Sequence, residues 1–147
     1  MRRNKGKVLV STYKMLTTVQ KTLALLSPIY YTLFMEIMNA YQIIFYTTDT
    51  GSQPFVTWQK KLDTKIEAVV IGRLARIRNG NFGDCKPIKG SDGVCELRID
   101  YGPGYRIYFG KKGGRIVVLL VGGDKGSQNR DITKAKRYWL DFKEKHD

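Results

Sequence analysis

Three closely spaced segments between residues 94 and 121 constrain the fold of this chain more than any other feature. Residues 94–101 alternate apolar and polar side chains, and residues 105–110 repeat the alternation after a Gly-Pro-Gly turn. Residues 115–121 are almost entirely apolar, which is typical of a strand covered on both faces. The short turns between these segments predict three consecutive antiparallel strands.

The segments on either side of this unit predict the rest of the fold. Residues 41–48 are rich in β-branched and aromatic side chains and predict a strand. Residues 54–62 and 65–78 carry apolar stripes at helical spacing and predict a helical hairpin, and residues 129–145 predict a C-terminal amphipathic helix. The order β-α-α-β-β-β-α indicates an α+β fold, with a small antiparallel sheet packed against the hairpin and the last helix.

The first 39 residues follow a different pattern. They open on a basic run at residues 1–7 and continue into 14 uncharged residues, 22–35. A membrane span needs about 20 apolar residues, so this run is too short to be one. We interpret 1–39 as a non-core extension, which an over-long start would explain, and 40–147 as the folded domain. The alternative is an anchoring or targeting helix.

Composition narrows the chemistry available to the chain. The net charge of +13 favours a polyanionic partner, which can be nucleic acid, an acidic protein or an anionic membrane surface. The single histidine, His146, lies next to the C-terminus, which excludes a Ser/His/Asp triad, a Cys/His dyad and a multi-histidine metal site, and no metal or small-molecule cofactor is predicted. Cys85 and Cys95 are interpreted as reduced thiols of a cytoplasmic protein, with a bridge between them as the alternative.

Two arginines give the sharpest functional signal. Arg98 and Arg106 belong to the polar sets of two strands joined by a tight turn, so a regular hairpin places them side by side, with Tyr108 next to them. Two guanidinium groups repel each other unless an anion lies between them. A phosphate would relieve that repulsion. The alternative is a surface ion-pair lattice in which Glu96 and Asp100 neutralise both arginines.

Further candidates surround this pair. Residues 122–127, GGDKGS, follow a buried strand and precede a helix, so Lys125 and the Ser127 hydroxyl could hold a phosphate there. A plain glycine turn with a serine cap is the alternative. Lys86 extends a basic rim or is a solvated loop lysine. Tyr108 is the candidate for stacking on a base.

Several ordered motifs resemble one family. They are GNFGDCK at residues 80–86, CELRIDYGPGYRIYF at 95–109 and LLVGGDKGSQ at 119–128, followed by Asp131-Ile132 and preceded by an early Phe-x-x-Trp at 55–58. This pattern is similar to the addiction-module killer proteins, HigB-like toxins of the RelE/ParE superfamily in type II toxin–antitoxin systems. The resemblance covers residues 40–143.

The resemblance implies a compact fold of sheet and helical hairpin, and a cytoplasmic toxin that inhibits growth. It implies a cognate antitoxin, typically a helix-turn-helix protein, and mRNA on the ribosome as the target. RelE-like members cleave mRNA in the ribosomal A site by attack of a ribose 2′-hydroxyl on the adjacent phosphate, without a metal. ParE-like members share the fold but inhibit DNA gyrase by protein contact, which is the alternative function.

By the same resemblance, the arginine of the Gly-Tyr-Arg strand corresponds to Arg106, which would stabilise the transition state. The basic residue of the preceding strand corresponds to Arg98, and the one after the last strand to Lys125. These three are the expected catalytic residues. The expected RNA contacts are Lys86, Tyr108, Ser127 and Arg130. The family's C-terminal acid–base residue has no clear match in this sequence.

Overall fold

The computed structural model describes residues 17–22, 25 and 27–147. The basic run at residues 1–7 lies outside them. The chain divides into two compact units, Met1–Ala40 and Tyr41–Asp147. In the first unit, helix α1 (Pro28–Asn39) begins at a proline, and the hydroxyl of Ser27 accepts a hydrogen bond from the backbone N–H of Ile29. Among the described residues, no helix has both the length and the apolar character needed to span a membrane.

The second unit is built on one five-stranded sheet. Its strands are β1 (Gln42–Phe45), β2 (Cys85–Pro87), β3 (Val94–Ile99), β4 (Tyr105–Lys112) and β5 (Ile116–Asp124), in the spatial order β1-β5-β4-β3-β2. Helices α2 (Pro54–Gln59) and α3 (Thr64–Arg78) follow β1, and helix α4 (Gln128–His146) ends the chain. The α+β class and the order of the main elements agree with the sequence analysis.

Three details of the sheet differ from the expectation. The sheet is mixed, because β1 runs parallel to β5, whereas the other neighbours are antiparallel. Side chains alternate in the same way in parallel and in antiparallel strands, so the sequence pattern does not distinguish the two pairings. The long connection through the two helices makes the parallel pairing of β1 with β5 possible. Residues 80–93, to which the sequence pattern assigns no strand or helix, contain the short strand β2. The segment 122–127, described above as a glycine turn, is partly strand, since β5 continues to Asp124.

Both faces of the sheet are covered. On one face, the hairpin residues Phe55, Ile66 and Val70 pack against a core that includes Ile107 and Phe109. On the other, α4 contributes Ala135, Trp139 and Phe142 to a second core with Tyr108 and Leu120. The face that carries Arg98 and Arg106, which the alternation marks as polar, is therefore covered by α4 along most of its length and forms part of the second core.

A β-bulge changes the direction of the last residues of β5. Tyr108 pairs with Val121 whereas Phe109 pairs with Leu119, so Leu120 is an additional residue in β5. Beyond the bulge, a Cβ at Gly122 would meet the ring of Trp58 on α2, and one at Gly123 would meet the carboxylate of Asp131 on α4. The two glycines therefore allow both helices to approach the end of β5 closely.

Candidate functional site

The three expected catalytic residues line one cleft of about 460 Å³ at the ends of β3, β4 and β5. Arg98 and Arg106 are directly opposite each other in the β3–β4 register, as the alternation predicts. Lys125 lies on a 3₁₀ turn, Lys125–Ser127, that joins β5 to α4. The structure thus brings together three cations that are up to 27 positions apart in the sequence.

Backbone hydrogen bonds fix the position of Lys125. Its N–H donates to the carbonyl oxygen of Gly104 in the β3–β4 turn at 3.0 Å, which ties the turn after β5 to the arginine hairpin. Asp124 and Ser127 form a reciprocal capping box around the same turn. The Lys125 backbone is therefore held relative to both arginine strands before any ligand binds.

One buried carboxylate lies between the two arginines. Glu96 is 6% exposed, and its Oε1 lies 3.3 Å from Nε of Arg98 while its Oε2 lies 3.6 Å from Nε of Arg106. Both Nε atoms are buried, and neither meets hydrogen-bond geometry with Glu96. The carboxylate therefore offsets the repulsion between the guanidinium groups through charge, without fully satisfying them as donors.

Two further side chains hold Glu96 in place. Its Oε2 accepts hydrogen bonds from the Tyr108 hydroxyl at 3.2 Å and from the Gln128 amide at 2.8 Å. Burial, assisted by the charge of Glu96, raises the pKa of Tyr108 well above its usual value. Tyr108 is fully buried under α4. The expectation that its ring stacks on a base is therefore wrong, because the helix occupies the surface a base would need.

The outer parts of both guanidinium groups remain open to the cleft. The carboxylates of Glu96 and Asp84 approach Arg98 at its Nε atom, at 3.3 and 4.0 Å, and Glu96 likewise approaches Arg106 at Nε. The Arg98 side chain is 34% exposed and that of Arg106 is 13% exposed, so a ligand can reach them from the cleft. Two paired forks with a lysine nearby can bind the oxygens of a phosphate. Asp84 and Asp100 also line the cleft and oppose this attraction.

The expected RNA contacts are less closely grouped. Ser127 and Arg130 line a separate pocket on the other side of the Lys125–Ser127 turn, and Lys86 is an exposed residue of strand β2 that lines neither cavity. The Ser127 hydroxyl donates to the carboxylate of Asp131, and the Ser127 N–H donates to Asp124. Ser127 thus serves as a cap, which agrees with the plain glycine-turn alternative rather than with a phosphate-binding loop.

The described residues contain no group of three or more His, Cys, Asp or Glu side chains arranged to hold a metal ion. Cys85 and Cys95 are free thiols on neighbouring strands. A hydrogen bond from Cys85, assisted by the charge of Lys111, lowers the pKa of Cys95 to about 6 against the opposing effect of burial. The pair lies on the hairpin side of the sheet, away from the arginines.

Three polar residues near the arginine cleft have roles in the structure that were not predicted from their positions in the sequence. Glu96 appeared only as one of two neutralising acids, although its position two residues before Arg98 on the same strand face is a signal that could have indicated its role. Gln128 gives no local signal, because it lies 32 positions from its partner. Asp131, in the first turn of α4, is buried at 4% exposure although its neighbours in that turn are polar.

The fold is shared with a solved toxin. The chain is similar to a variant of the Escherichia coli toxin RelE, with two arginines replaced by alanine, in the free state. The TM-score is 0.50 at 12% identity, over 67% of this chain and 96% of that one. This similarity shows that the chain has a RelE-like fold.

Sequence comparison gives the family of the chain. Residues 57–139 match the model of the phage-derived protein Gp49-like family, DUF891, a family of RelE/ParE-like toxins. An uncharacterized protein of Haemophilus influenzae is 46% identical over 83 residues, which cover 56% of this chain and 82% of that protein. The chain belongs to the Gp49-like family.

Proposed function

We propose that the chain is the toxin of a type II toxin–antitoxin module and arrests growth by cleaving mRNA in the ribosomal A site. The observation that carries the proposal is the pair of arginines opposite each other in the sheet, held by one buried carboxylate and joined in the same cleft by Lys125. A toxin that acts through protein contact alone has no need for such an arrangement.

The cleft supports metal-independent cleavage of RNA. In this reaction the ribose 2′-hydroxyl attacks the adjacent phosphorus, the bond to the 5′ oxygen breaks, and a 2′,3′-cyclic phosphate remains. Negative charge increases on the phosphoryl oxygens in the transition state. Arg98, Arg106 and Lys125 are the cations positioned to stabilise that charge, and a preorganised donor of this kind is worth about 10²–10³ in rate.

The same proposal defines the partners. A type II module supplies a cognate antitoxin, which we propose is a helix-turn-helix protein that neutralises this chain. The ribosome and its mRNA are the proposed targets, so the toxin acts in the cytoplasm. The net charge of +13 favours association with ribosomal RNA and mRNA through their phosphates.

Induced expression of the full chain in a bacterial host tests the proposal. Wild type, Arg106→Gln and Arg106→Lys are compared with Arg76→Ala, which removes an exposed arginine of α3 that lines neither cavity. New mRNA 5′ ends are mapped with translation running and with translation blocked. We expect wild type and Arg76→Ala to produce ends that depend on translation, and Arg106→Gln to lose them. Arg106→Lys should restore part of the cleavage because it retains the charge.

Two outcomes would contradict the proposal. Growth arrest without new RNA ends would favour the ParE-like alternative, in which the toxin inhibits DNA gyrase by protein contact. New ends that persist unchanged in Arg106→Gln would remove the arginine pair from the reaction.

A further inference from the structure

The structure has a second pocket, of about 520 Å³, immediately beyond the Lys125–Ser127 turn from the arginine cleft. Three cations line it: Lys61 after α2, and Arg130 and Lys134 one turn apart on α4. The two cavities are neighbours in the sheet, because Arg106 of the cleft is the register partner of Gly123, which lines the second pocket. A bound polymer that crosses the Lys125–Ser127 turn would therefore pass from one cavity to the other.

The three cations of this pocket are available to a ligand. Within residues 27–147, none of Lys61, Arg130 and Lys134 forms an ion pair with a protein carboxylate. The two acids that line the same pocket are already engaged, since Asp131 accepts the Ser127 hydroxyl and Asp124 caps the turn. Three cations against two carboxylates leave the lining of the pocket with a net charge of +1.

The rest of the lining is aromatic and hydroxylic. The indole of Trp58 packs over Gly122 and is only partly exposed, and Tyr138 of α4 also lines the pocket. Thr48, Thr50 and Thr57 also line the pocket, and their hydroxyls form hydrogen bonds within the protein. Cations for phosphates, an aromatic surface for bases and hydroxyls for ribose groups are the combination by which proteins bind single-stranded RNA.

We infer that the second pocket binds the nucleotides adjacent to the phosphate held by Arg98, Arg106 and Lys125, so that single-stranded RNA crosses the Lys125–Ser127 turn. This inference rests on the proposed function and extends it, because it assigns a second substrate-binding site. It also replaces Tyr108 with Trp58 as the aromatic contact for a base, and it gives Arg130 a role as a phosphate contact.

Binding of hexauridylate to the purified full chain tests the inference. Trp58 reports binding directly, because it lines the pocket and is partly exposed, whereas Trp139, the other tryptophan of the chain, is 4% exposed. We expect hexauridylate to quench the fluorescence of wild type. Trp58→Phe should retain the affinity, measured by anisotropy of labelled RNA, but lose the quenching.

Charge variants measure the contribution of the pocket. Each lost phosphate contact on single-stranded RNA lowers the salt slope by about 0.7, so Lys61→Gln/Arg130→Gln should lower it by about 1.4 and weaken affinity about 25-fold at 0.1 M salt. The matched control is Lys60→Gln/Lys65→Gln, which removes two exposed charges outside both cavities. We expect it to change affinity less than about three-fold. Thermal melts of all variants confirm that they are folded.

The outcomes separate the inference from the proposed function. RNA binding that is lost in Arg98→Gln/Arg106→Gln but unchanged in Lys61→Gln/Arg130→Gln would overturn the inference and leave the proposed function intact. Absence of hexauridylate binding to wild type would overturn the inference, whereas the proposed function, which requires the ribosome, is tested separately by the translation-dependent mRNA 5′ ends. Hexaglutamate serves as a second probe: if it binds in a Lys61- and Arg130-dependent manner and hexauridylate does not, the pocket takes an acidic protein segment, which also overturns the inference.

Discussion

Replacement of Glu96 by glutamine should destabilise the fold and increase the stabilisation that a bound phosphate gives. The substitution keeps the size of the side chain and can keep hydrogen bonds to Tyr108 and Gln128, but it removes the charge that lies within 3.6 Å of both arginine Nε atoms. Arg98 and Arg106 then face each other across the strands without an anion between them.

The magnitude follows from the burial of the three groups. Removal of one partner from a fully buried ion pair costs about 3–5 kcal/mol. Because the Arg98 side chain is 34% exposed and that of Arg106 is 13% exposed, solvent screening lowers the cost to about 2–3 kcal/mol. For a unit of this size, that corresponds to a fall in Tm of about 10 °C. Glu144→Gln, at an exposed position near the end of α4, should change the free energy of unfolding by less than about 0.5 kcal/mol.

Thermal unfolding with and without inorganic phosphate measures both parts of this prediction. Phosphate should stabilise Glu96→Gln more than wild type, because the anion takes the place of the missing carboxylate between the guanidinium groups. A fall in Tm no greater than that of Glu144→Gln would refute the role assigned to Glu96. Equal stabilisation of both proteins by phosphate would show that the anion does not bind at the arginine pair.

Three further predictions follow from the same structure. Gly122→Ala places a Cβ about 2.1 Å from Trp58. Overpacking of this kind costs about 1–3 kcal/mol, so calorimetry should show a loss of stability of about that size, and an unchanged Tm would contradict the close packing. Asp84→Asn removes a carboxylate from the cleft and should tighten phosphate binding about two- to five-fold by titration calorimetry, whereas weaker binding would refute this. A hydrogen bond from Lys145 lowers the pKa of Asp141 below its usual value, so this stabilisation is present above about pH 4 and is lost as the pH falls further. The Tm difference between wild type and Asp141→Asn should therefore disappear in acid, and a difference that grew would contradict this sign.

Patterns along single segments predicted most of the fold. The alternation in β3 and β4 sets the register that places Arg98 opposite Arg106, because side chains on neighbouring strands alternate in step across a tight turn. The apolar run of β5 correctly indicated a strand covered on both faces. These features depend on residues that are close in the sequence, so local spacing is sufficient to reveal them.

The features that the sequence did not reveal depend on contacts between distant segments. The parallel pairing of β1 with β5 leaves no trace in the alternation of either strand. The burial of Tyr108 depends on where α4 lies, and alternation identifies a polar face without showing whether a helix later covers it. The second pocket joins residues from α2, β5 and α4, and its cations look like solvated surface lysines and arginines when each is considered alone.

Cleavage of a defined mRNA on purified programmed ribosomes tests the central claim most directly. Wild type and Arg106→Gln are compared under single-turnover conditions, on an mRNA with ribose at every position and on one with a single 2′-deoxyribose at the cleaved nucleotide. We expect wild type to leave a 2′,3′-cyclic phosphate on the first mRNA and to leave the second intact, and Arg106→Gln to be slower by about 10²–10³. Equal cleavage of both mRNAs, or a wild-type rate in Arg106→Gln, would contradict a phosphate-binding arginine cleft as the site of the reaction.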